Sequence, residues 1–517
     1  MIFTTSTPCN NTRSINEKTL QTIIAGLTAF AVLAIFQTVP THAASFSVAT
    51  GNDENTDNSS CSLSEAIENI NDQAATNTDC PAGDGANDTI TISAGTITLT
   101  DNLDSLTEPA TVKGAGMGIT VIDGDGQYRA IGLNTASNET VTISGMTITA
   151  YMNYAIYIES SSVNLSEVEV DGAGVSSNSD AAIFIVNTLS ATNTVEAHNI
   201  YIHDINANTS GLGVFVVGGA GNGVTNANLS NITISDITNT GLLNNLIFAN
   251  GLYGGSSDHT TNVTAQNISI SNITSTGGGA SGLAAALVAA SGVSAINLEA
   301  NNVTIIGVQG VTTTYGSSGG FVQSGAGIGA GSVGQIRSNI TNLLLANNTS
   351  DGVNSNCSSN DITSAFGGSG SFDSTIFSRG GNLSSDSACA PYFNHAKDQN
   401  NLTNLGLTLA PLADNGGAVP TRALLQGSPA IDSGITVPTL TSDARGTARP
   451  QGLAYDSGAY ESPFTTAQSS TPVKQAAQKL ADTGESRKIF ILCAILVVLT
   501  SLSVMIAMQR QKKIHKQ

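Results

Sequence analysis

The middle of the chain repeats one short motif, and this repeat constrains the fold more than any other feature of the sequence. Each copy spans seven residues in which apolar and polar side chains alternate, and the first residues of successive copies lie 32, 36, 35 and 40 positions apart. Alternation with a period of two is typical of a half-buried β-strand. The copies are Asn199-Ile-Tyr-Ile-His-Asp-Ile205, Asn231-Ile-Thr-Ile-Ser-Asp-Ile237, Asn267-Ile-Ser-Ile-Ser-Asn-Ile273, Asn302-Val-Thr-Ile-Ile-Gly-Val308 and, more loosely, Asn342-Leu-Leu-Leu-Ala-Asn-Asn348.

A strand that returns once per repeat predicts an all-β fold in which each strand stacks on its equivalent in the next repeat. Such a fold is a parallel β-helix, a solenoid whose inward Ile, Val and Leu side chains form stacks that no single repeat can bury alone. The polar residues at the sixth position, Asp204, Asp236 and Asn272, are expected to turn the chain and to hydrogen-bond the neighbouring repeat. A β-sandwich is the alternative fold, but it predicts shorter strands linked by hairpins.

Composition excludes one class of function and favours another. The chain carries 18 Lys and Arg against 38 Asp and Glu, so phosphate would repel it and nucleic-acid binding is excluded. Only 11% of the 517 residues are charged and 5% are aromatic, yet 40% are hydrophobic. This composition favours a secreted β-rich protein built from small residues rather than a disordered chain.

The N-terminal segment has the order of a secretory signal, which predicts a signal peptide over residues 1–43. Arg13 and Lys18 precede an uncharged apolar run at residues 23–36, and small residues flank His42 near the expected cleavage site. The run is shorter than the roughly 20 residues that span a bilayer. An uncleaved membrane anchor is the alternative interpretation.

The C-terminal segment, residues 480–517, begins with Leu480-Ala481-Asp482-Thr483-Gly484 and continues with an apolar stretch and a basic tail, and in this order it resembles a Gram-positive sorting signal of the LPxTG type in its LAxTG variant. An apolar stretch at residues 489–508 has the length of a transmembrane helix, and a basic tail follows it. The resemblance implies that a sortase cuts after Thr483 and joins its carboxyl group to peptidoglycan, so that only this terminal segment meets the membrane. A plain C-terminal membrane anchor is the alternative. The motif residues are Leu480, Ala481, Asp482, Thr483 and Gly484.

Four cysteines remain once Cys9 and Cys493, which lie in the two terminal segments, are set aside. An even number of cysteines in an exported chain predicts two local disulfides, Cys61 with Cys80 and Cys357 with Cys389. A metal site is the competing interpretation, but no Cys-x-x-Cys spacing supports it. The sequence therefore indicates no metal site at these cysteines.

A short helix is predicted just after Cys61. Ser62 and Glu65 have the spacing of a capping box, and the following apolar residues form one stripe at helical spacing. The stripe consists of Leu63, Ala66, Ile67 and Ile70. Because the open end of a solenoid exposes unpaired strand edges, we expect this helix to cover the N-terminal opening.

Two stretches resemble known domains of bacterial surface proteins. Residues 44–130 look like the CSLREA domain, with Ser64 where that family usually has Arg, and residues 351–461 are similar to the choice-of-anchor Q domain. The first resemblance rests on Cys61-Ser-Leu-Ser-Glu-Ala-Ile67, Cys80, Asp88-Thr-Ile-Thr-Ile92, Gly95-Thr-Ile-Thr-Leu-Thr100 and Thr120-Val-Ile-Asp-Gly124. The second rests on Asn356-Cys357, Gly381-Asn-Leu383, Asp386, Cys389, Leu412-Ala-Asp-Asn-Gly-Gly417, Gly427-Ser-Pro-Ala-Ile-Asp432, Asp443-Ala-Arg-Gly446, Arg449-Pro450 and Asp456-Ser-Gly-Ala-Tyr-Glu461.

The two resemblances imply a right-handed, pectin-lyase-like β-helix on a cell surface, and by themselves they imply no activity. Residues 131–350 would then form the β-helix repeats, and residues 462–479 a linker rich in Ser, Thr, Pro and Gln. We therefore expect a capping helix, the β-helix, a linker and the sorting signal in that order.

Glu167, Glu169 and Asp171 are the best candidates for catalysis. They lie 32 residues before the first motif copy, and their spacing predicts one outer row while Val168 and Val170 point inward. Two carboxylates can cleave a glycosidic bond when they stand about 5 to 10 Å apart. A solvated or calcium-binding strand face is the favoured alternative, since the sequence shows no aromatic sugar platform nearby.

Other possible sites are weaker. His203-Asp204 and Asp258-His259 are adjacent pairs, and neighbouring strand residues point to opposite faces, so neither pair is expected to form a dyad. Asp123 with Asp125, and Asp53 and Glu54 with Asp57, offer too few oxygens to define a calcium site. Basic side chains that a lyase would need are scattered between residues 90 and 390, at Lys113, Arg129, Arg337 and Arg379.

The sequence thus predicts an exported, cell-wall-anchored surface protein without a required cofactor, although calcium is possible. Its expected role is adhesion, or the binding of a glycan or a neighbouring cell. Sortase and peptidoglycan are its expected partners. The alternative is a polysaccharide-degrading enzyme, a glycosidase or lyase, acting on the face formed by Glu167, Glu169 and Asp171.

Overall fold

A computed structural model of the chain describes residues 43–465, apart from residues 86, 136–138, 176–180, 209–212, 241–248, 252–257 and 314–315. The predicted signal peptide up to residue 42, most of the linker, the sorting motif Leu480 to Gly484 and the span at residues 489–508 lie outside the described residues. Within the described part, no helix has the length and apolar character needed to cross a membrane.

Strands dominate the described residues, which contain one α-helix and two short 3-10 helices. The first elements are β1 (Ser45–Val48), β2 (Gly51–Asp53), α1 (Leu63–Asp72), β3 (Asp88–Ile92), β4 (Gly95–Leu99), β5 (Ser105–Leu106), β6 (Ala110–Lys113), β7 (Thr120–Asp123), β8 (Ile131–Leu133), β9 (Thr140–Thr149), β10 (Tyr154–Glu159) and β11 (Ser162–Asp171). The repeat region continues with β12 (Ala181–Asn187), β13 (Thr192–His203), β14 (Asn206–Ala207), β15 (Phe215–Gly219), β16 (Val224–Asn239), β17 (Ala249–Gly251), β18 (Thr260–Ser275), β19 (Ser281–Ala289), β20 (Val293–Asn301), β21 (Thr304–Gly310), β22 (Gly319–Gly327), β23 (Val333–Thr341) and β24 (Leu344–Ala346). The last elements are β25 (Thr349–Ser350), β26 (Val353–Asn354), β27 (Cys357–Asp361), a 3-10 helix (Ser364–Phe366), β28 (Ser371–Gly380), β29 (Leu383–Ser384), a second 3-10 helix (Leu405–Thr408), β30 (Leu409–Ala413) and β31 (Thr421–Leu424).

The strands form long parallel sheets. One sheet has 20 strands, a second joins β5, β8, β10, β12 and β15, and a third joins β17, β19, β22 and β27. Among the described strands, only the pairs β25–β26 and β30–β31 are antiparallel. The predicted all-β fold with parallel stacking is therefore confirmed, and the hairpin-linked alternative is excluded.

The motif sets the register between strands. Ile202 pairs with Ile234, Ile234 with Ile270, and Ile270 with Ile305, each the fourth residue of its motif copy. These side chains are almost completely buried in one continuous hydrophobic core. Full burial of each aliphatic side chain stabilises the fold by about 1.5–3 kcal/mol, and the stack exists only because neighbouring repeats lie against one another.

A corner, called the Asn corner below, divides the long strands at the first motif position. Asn199, Asn231, Asn267, Asn302 and Asn342 all have a left-handed backbone, with φ between 53° and 58°. Asn tolerates this conformation better than most residues. Side-chain amides also link successive corners, because Asn231 Nδ2 donates to Asn199 Oδ1 at 3.1 Å and Asn267 Nδ2 to Asn231 Oδ1 at 3.2 Å.

The sixth motif position makes a second corner, as predicted. Asp204, Asp236 and Asn272 have φ of 56–57°, and Asn272 Nδ2 donates to Asp236 Oδ1 at 3.0 Å. The two corners bound two outward surfaces of the large sheet. Face 1 is the outward surface of residues 162–166, 192–198, 224–230, 260–266, 293–301, 333–341 and 371–378, and face 2 is that of residues 168–171, 200–203, 232–235, 268–271 and 304–306.

Helix α1 lies where the sequence predicted a helix. Ser62 Oγ accepts from Glu65 N at 3.2 Å and Ser62 N donates to Glu65 Oε2 at 2.9 Å, which completes the capping box. The predicted apolar stripe is buried, and α1 packs against β1 and β5. Both predicted disulfides, Cys61–Cys80 and Cys357–Cys389, are formed.

The C-terminal segment, residues 401–464, packs back onto face 2 and the Asn corner. Thr233 Oγ1 donates to the carbonyl of Pro420 at 2.8 Å, Asn267 Nδ2 to that of Ser442 at 3.0 Å, and Asn302 Nδ2 to that of Gly458 at 3.1 Å. Outward residues of face 2, such as Thr233 and Thr304, are buried as a result. Much of face 2 is therefore an internal contact surface.

A cluster of buried charged residues links different parts of the C-terminal segment to one another. Arg449 Nη1 donates to Glu461 Oε2 at 2.8 Å, and Arg445 donates to Asp443 and lies 3.6 Å from the ring centre of Tyr460. Asp456 Oδ1 and Oδ2 accept from backbone N–H groups of residues 432 and 462. These charged residues belong to the motifs that resemble the choice-of-anchor Q domain, and in this structure they make hydrogen bonds and ion pairs within the C-terminal segment.

Candidate functional site

The three carboxylates proposed for catalysis do not form one row. Val168 and Val170 are fully buried, as expected, and Glu169 and Asp171 lie half-buried on face 2. Glu167 instead has φ of 54° and stands exposed at the Asn corner, where the strand pairing skips it. The expectation of one outer row is wrong for Glu167, because a left-handed residue interrupts the alternation of an extended strand.

Glu169 belongs to a compact polar cluster with His203. Glu169 Oε1 lies 3.1 Å from His203 Nε2, and Glu169 Oε2 accepts from Thr147 Oγ1 at 2.6 Å. His203 Nδ1 lies 2.7 Å from Asp204 Oδ2. The expectation that His203 and Asp204 point apart is wrong, since Asp204 is a corner residue and does not follow strand alternation.

Strand register adds an aromatic ring to this cluster. Asp171 pairs with His203, and Glu169 pairs with Tyr201 on the next strand. The Tyr201 ring stacks on His203 with centroids 4.1 Å apart. Tyr201 is not among the residues predicted from the sequence, although the 32-residue offset between Glu167 and Asn199 already aligns Tyr201 with Glu169.

The cluster favours a protonated imidazole. Burial lowers the pKa of His203, but hydrogen bonds to Glu169 and Asp204 and the charge of Asp171 raise it more, so the pKa lies above the usual value. The hydrogen bond from His203 lowers the pKa of Glu169 and outweighs its burial. The carboxylates beside both ring nitrogens thus favour the cationic form of His203 over the neutral form.

The same cluster is a poor fit to a metal ion. One ligand atom each of Asp171, His203 and Asp204 lies within 4.8 Å of the others. Both ring nitrogens of His203, however, already face carboxylates, whereas a metal needs a neutral ring with one nitrogen free. The arrangement therefore favours a proton on His203 over a bound metal ion.

The other predicted candidates take structural positions. His259 is buried, with Nδ1 3.0 Å from the carbonyl of Gly221, while Asp258 Oδ1 accepts from Val293 N at 2.6 Å, so this pair forms no dyad. Asp53 Oδ1 accepts from the N–H groups of Leu63 and Ser64 and caps α1. The remaining acidic candidates accept hydrogen bonds within their own turns or, for Asp57, from the N–H of residue 78: Glu54, Asp57, Asp123 and Asp125.

Face 1 contrasts with face 2, because polar side chains stand in register along it and several are exposed. Asn226, Asn262 and Asn297 form a ladder in which each amide donates to the previous one at 2.9 Å. A parallel row, two residues further along each strand, pairs Asn228 with Thr264 and Thr264 with Glu299. Neighbouring strands lie about 4.8 Å apart, so polar groups repeat at that spacing along the face.

Two arginines and an aromatic ring meet at the C-terminal end of face 1. Phe377, 48% exposed, pairs in register with Asn339, and Arg379 Nη2 donates to Asn339 Oδ1 at 2.8 Å. Arg337, two residues before Asn339, makes a loose exposed ion pair of 3.8 Å with Asp373. Arg337 and Arg379 are 42 residues apart in the sequence, but they lie on neighbouring strands, β23 and β28, whereas Lys113 and Arg129 lie elsewhere.

Comparison with known proteins gives no match to a family model, to a curated protein or to a solved structure.

Proposed function

We propose that this protein is an exported, right-handed parallel β-helix, anchored to a Gram-positive cell wall, that binds a glycan polymer or a neighbouring cell without catalysing a reaction. The confirmed parallel fold and both disulfides are compatible with an oxidising, extracellular setting. The handedness, the cleaved signal and the wall anchor rest on sequence patterns and resemblance.

Wall attachment rests on Thr483 and the sorting motif around it. A sortase product is covalently bound, so boiling detergent should leave the protein in the wall fraction, and digestion of peptidoglycan should release it. Thr483→Ala should move it into the detergent extract. Full-length protein in the detergent extract of wild-type cells would contradict the anchor.

Glycan binding rests on one observation, the polar rows of face 1 that end in Phe377 between Arg337 and Arg379. An exposed aromatic ring can stack on a sugar, and guanidinium groups recognise carboxylate or sulfate substituents in paired hydrogen bonds. Arg337 and Arg379 lie on the neighbouring strands β23 and β28, so this end of the face can contact carboxylate or sulfate substituents of a polymer locally although the net charge of the chain is −20. Repeated weak contacts along the rows would add avidity.

The test is binding of the purified protein to a panel of neutral and acidic polysaccharides, followed by variants. Phe377→Ala and Arg379→Gln should each weaken binding at least tenfold. Leu407→Ala, at a 76% exposed position in the C-terminal segment, and Arg129→Gln are the matched controls and should bind normally. Equal binding by all four variants would reject face 1 as the site.

A second candidate function is polysaccharide cleavage at the cluster of Glu169, His203 and Tyr201. The observation that favours it is the hydrogen-bonded pair of Glu169, whose pKa is lowered, and His203, whose pKa is raised, beside the ring of Tyr201. New reducing ends after incubation with the same polysaccharides would support an enzyme. Glu169→Gln should then abolish product release while Glu167→Gln, at the corner, should not, and no products from wild-type protein would exclude this candidate.

A further inference from the structure

The N-terminal part of the structure is uniformly acidic. Residues 44–112 contain 12 Asp and Glu and no Lys, Arg or His. A carboxylate buried in this part therefore has no basic side chain within its own segment to compensate its charge. Burial of an uncompensated charge is costly, and proteins relieve it by neutralising the group or by binding a cation.

Two carboxylates face one another beneath the segment that leads into α1. Glu65 is fully buried, and its Oε2 accepts from Ser62 N in the capping box. Asp79 Oδ2 accepts from the N–H groups of Asn58 and Ser59 at 2.9 and 3.2 Å. One oxygen of Glu65 and one of Asp79 lie within 4.8 Å of each other and of Cys80 Sγ.

Each of these carboxylates also has a buried oxygen without a partner. Glu65 Oε1 and Asp79 Oδ1 have no hydrogen-bond partner among the described residues. Burial and the nearby charge of Asp79 raise the pKa of Glu65, and hydrogen bonds from Ser62 and the backbone of Thr56 only partly oppose this. Among the described residues, neither carboxylate forms an ion pair with a basic side chain.

We propose that the N-terminal cap binds one calcium ion between the carboxylates of Glu65 and Asp79. Calcium takes about six to eight oxygen ligands at about 2.3–2.6 Å, so two of them can stand up to about 5 Å apart, which is compatible with the separation of at most 4.8 Å here. Water and backbone carbonyl groups would supply the ligands beyond the two carboxylates. Cys80 Sγ belongs to the disulfide with Cys61 and offers no thiolate, which disfavours thiolate-seeking metals. The ion would join α1 to the segment before Cys80 and to the turn at Asn58.

The experiment is calorimetric titration of calcium chloride into the chelator-treated protein at pH 7, with thermal unfolding measured in parallel. We expect one ion per chain and a midpoint of unfolding that rises with calcium. Asp79→Asn and Glu65→Gln should lower the affinity at least tenfold. Asp104→Asn, at an exposed acidic position outside this pair, is the matched control and should bind like wild type.

The competing state is a proton shared between Glu65 and Asp79, and the same measurements separate it. A shared proton predicts that calcium produces neither heat nor a shift of the midpoint, and that the midpoint in chelator falls as the pH rises from 5 to 8. That outcome overturns the proposal, as does calcium binding that survives both substitutions. If Glu65→Gln fails to fold because the capping box is damaged, Asp79→Asn decides alone, since Asp79 lies outside α1.

Discussion

Glu169 Oε1 lies 3.1 Å from His203 Nε2, although the two residues are 34 positions apart and belong to different strands, β11 and β13, which pair in the large sheet. The contact ties two repeats together on face 2, and Thr147 extends it to a third through its bond to Glu169 Oε2. A charge-assisted hydrogen bond of this kind depends on the protonation of both partners.

We predict that Glu169→Gln lowers the pKa of His203. The folded pKa of His203 is raised from 6.5, so its contribution to stability is present below pH 6.5 and is lost as the pH rises through the folded pKa. The folded pKa of Glu169 is lowered from 4.5, so its contribution is present above pH 4.5 and is lost as the pH falls through the folded pKa. The pair should stabilise the fold most between those values. NMR titration of the imidazole checks this, with Glu167→Gln as a control that leaves the titration unchanged.

We predict that Asn267→Ala destabilises the protein more than Asn267→Gly. Both substitutions remove the amide that donates to Asn231 and to the carbonyl of Ser442, at a cost of about 1–3 kcal/mol for the buried groups left without partners. The left-handed backbone at φ of 54° also costs alanine roughly 1–2 kcal/mol of conformational free energy, whereas glycine adopts it without this cost. Urea unfolding measures the difference, and equal destabilisation would contradict the role of the left-handed corner.

We predict that Arg449→Met loosens the C-terminal segment from face 2. The substitution leaves Glu461 buried without its partner, and breaking a buried ion pair costs about 3–5 kcal/mol. Limited proteolysis should then cut within residues 401–464 much faster than in wild type. Arg337→Gln, which breaks an exposed pair worth about 0–1 kcal/mol, is the control and should leave the cleavage rate unchanged.

We predict that the C-terminal segment is held more weakly above neutral pH. Burial, together with the charge of Glu461, raises the pKa of Asp456 to about 7. The folded state therefore keeps a proton that the unfolded state releases near 3.8, so stability falls as the pH rises from about 4 to 7. Unfolding midpoints measured between pH 5 and 8 should fall with pH in wild type and fall less in Asp456→Asn.

The repeat pattern was sufficient to predict the parallel stacking, and local chemistry was sufficient for α1 and the disulfides. Strand alternation, a capping box and an even cysteine count all act over short distances, and the structure contains each of them. The contact of His203 with Asp204 was not predicted, because strand alternation was applied to Asp204 although the motif already indicated a turn at that residue.

Contacts between residues that are far apart in the chain also could not be predicted from the sequence. Phe377 and Arg379 come close to Arg337 only through the register between β23 and β28, and neither of these two strands contains a copy of the motif. The return of residues 401–464 onto face 2 depends on hydrogen bonds between side-chain amides and carbonyls far away in the chain, which no local pattern encodes. Tyr201 is the exception, since alignment of the repeats would have revealed it.

The unequal spacing of the repeats has a consequence for how this protein can change. Between β16 and β18 the offset is 36 residues at every paired position, and between β20 and β23 it is 40, so in these two pairs the extra residues fall in the connections and not within the paired segments. An insertion in a connection costs little in loop entropy. Descendants of this chain can therefore vary their connecting loops from repeat to repeat and acquire new contacts there, while the rows of face 1 stay in step.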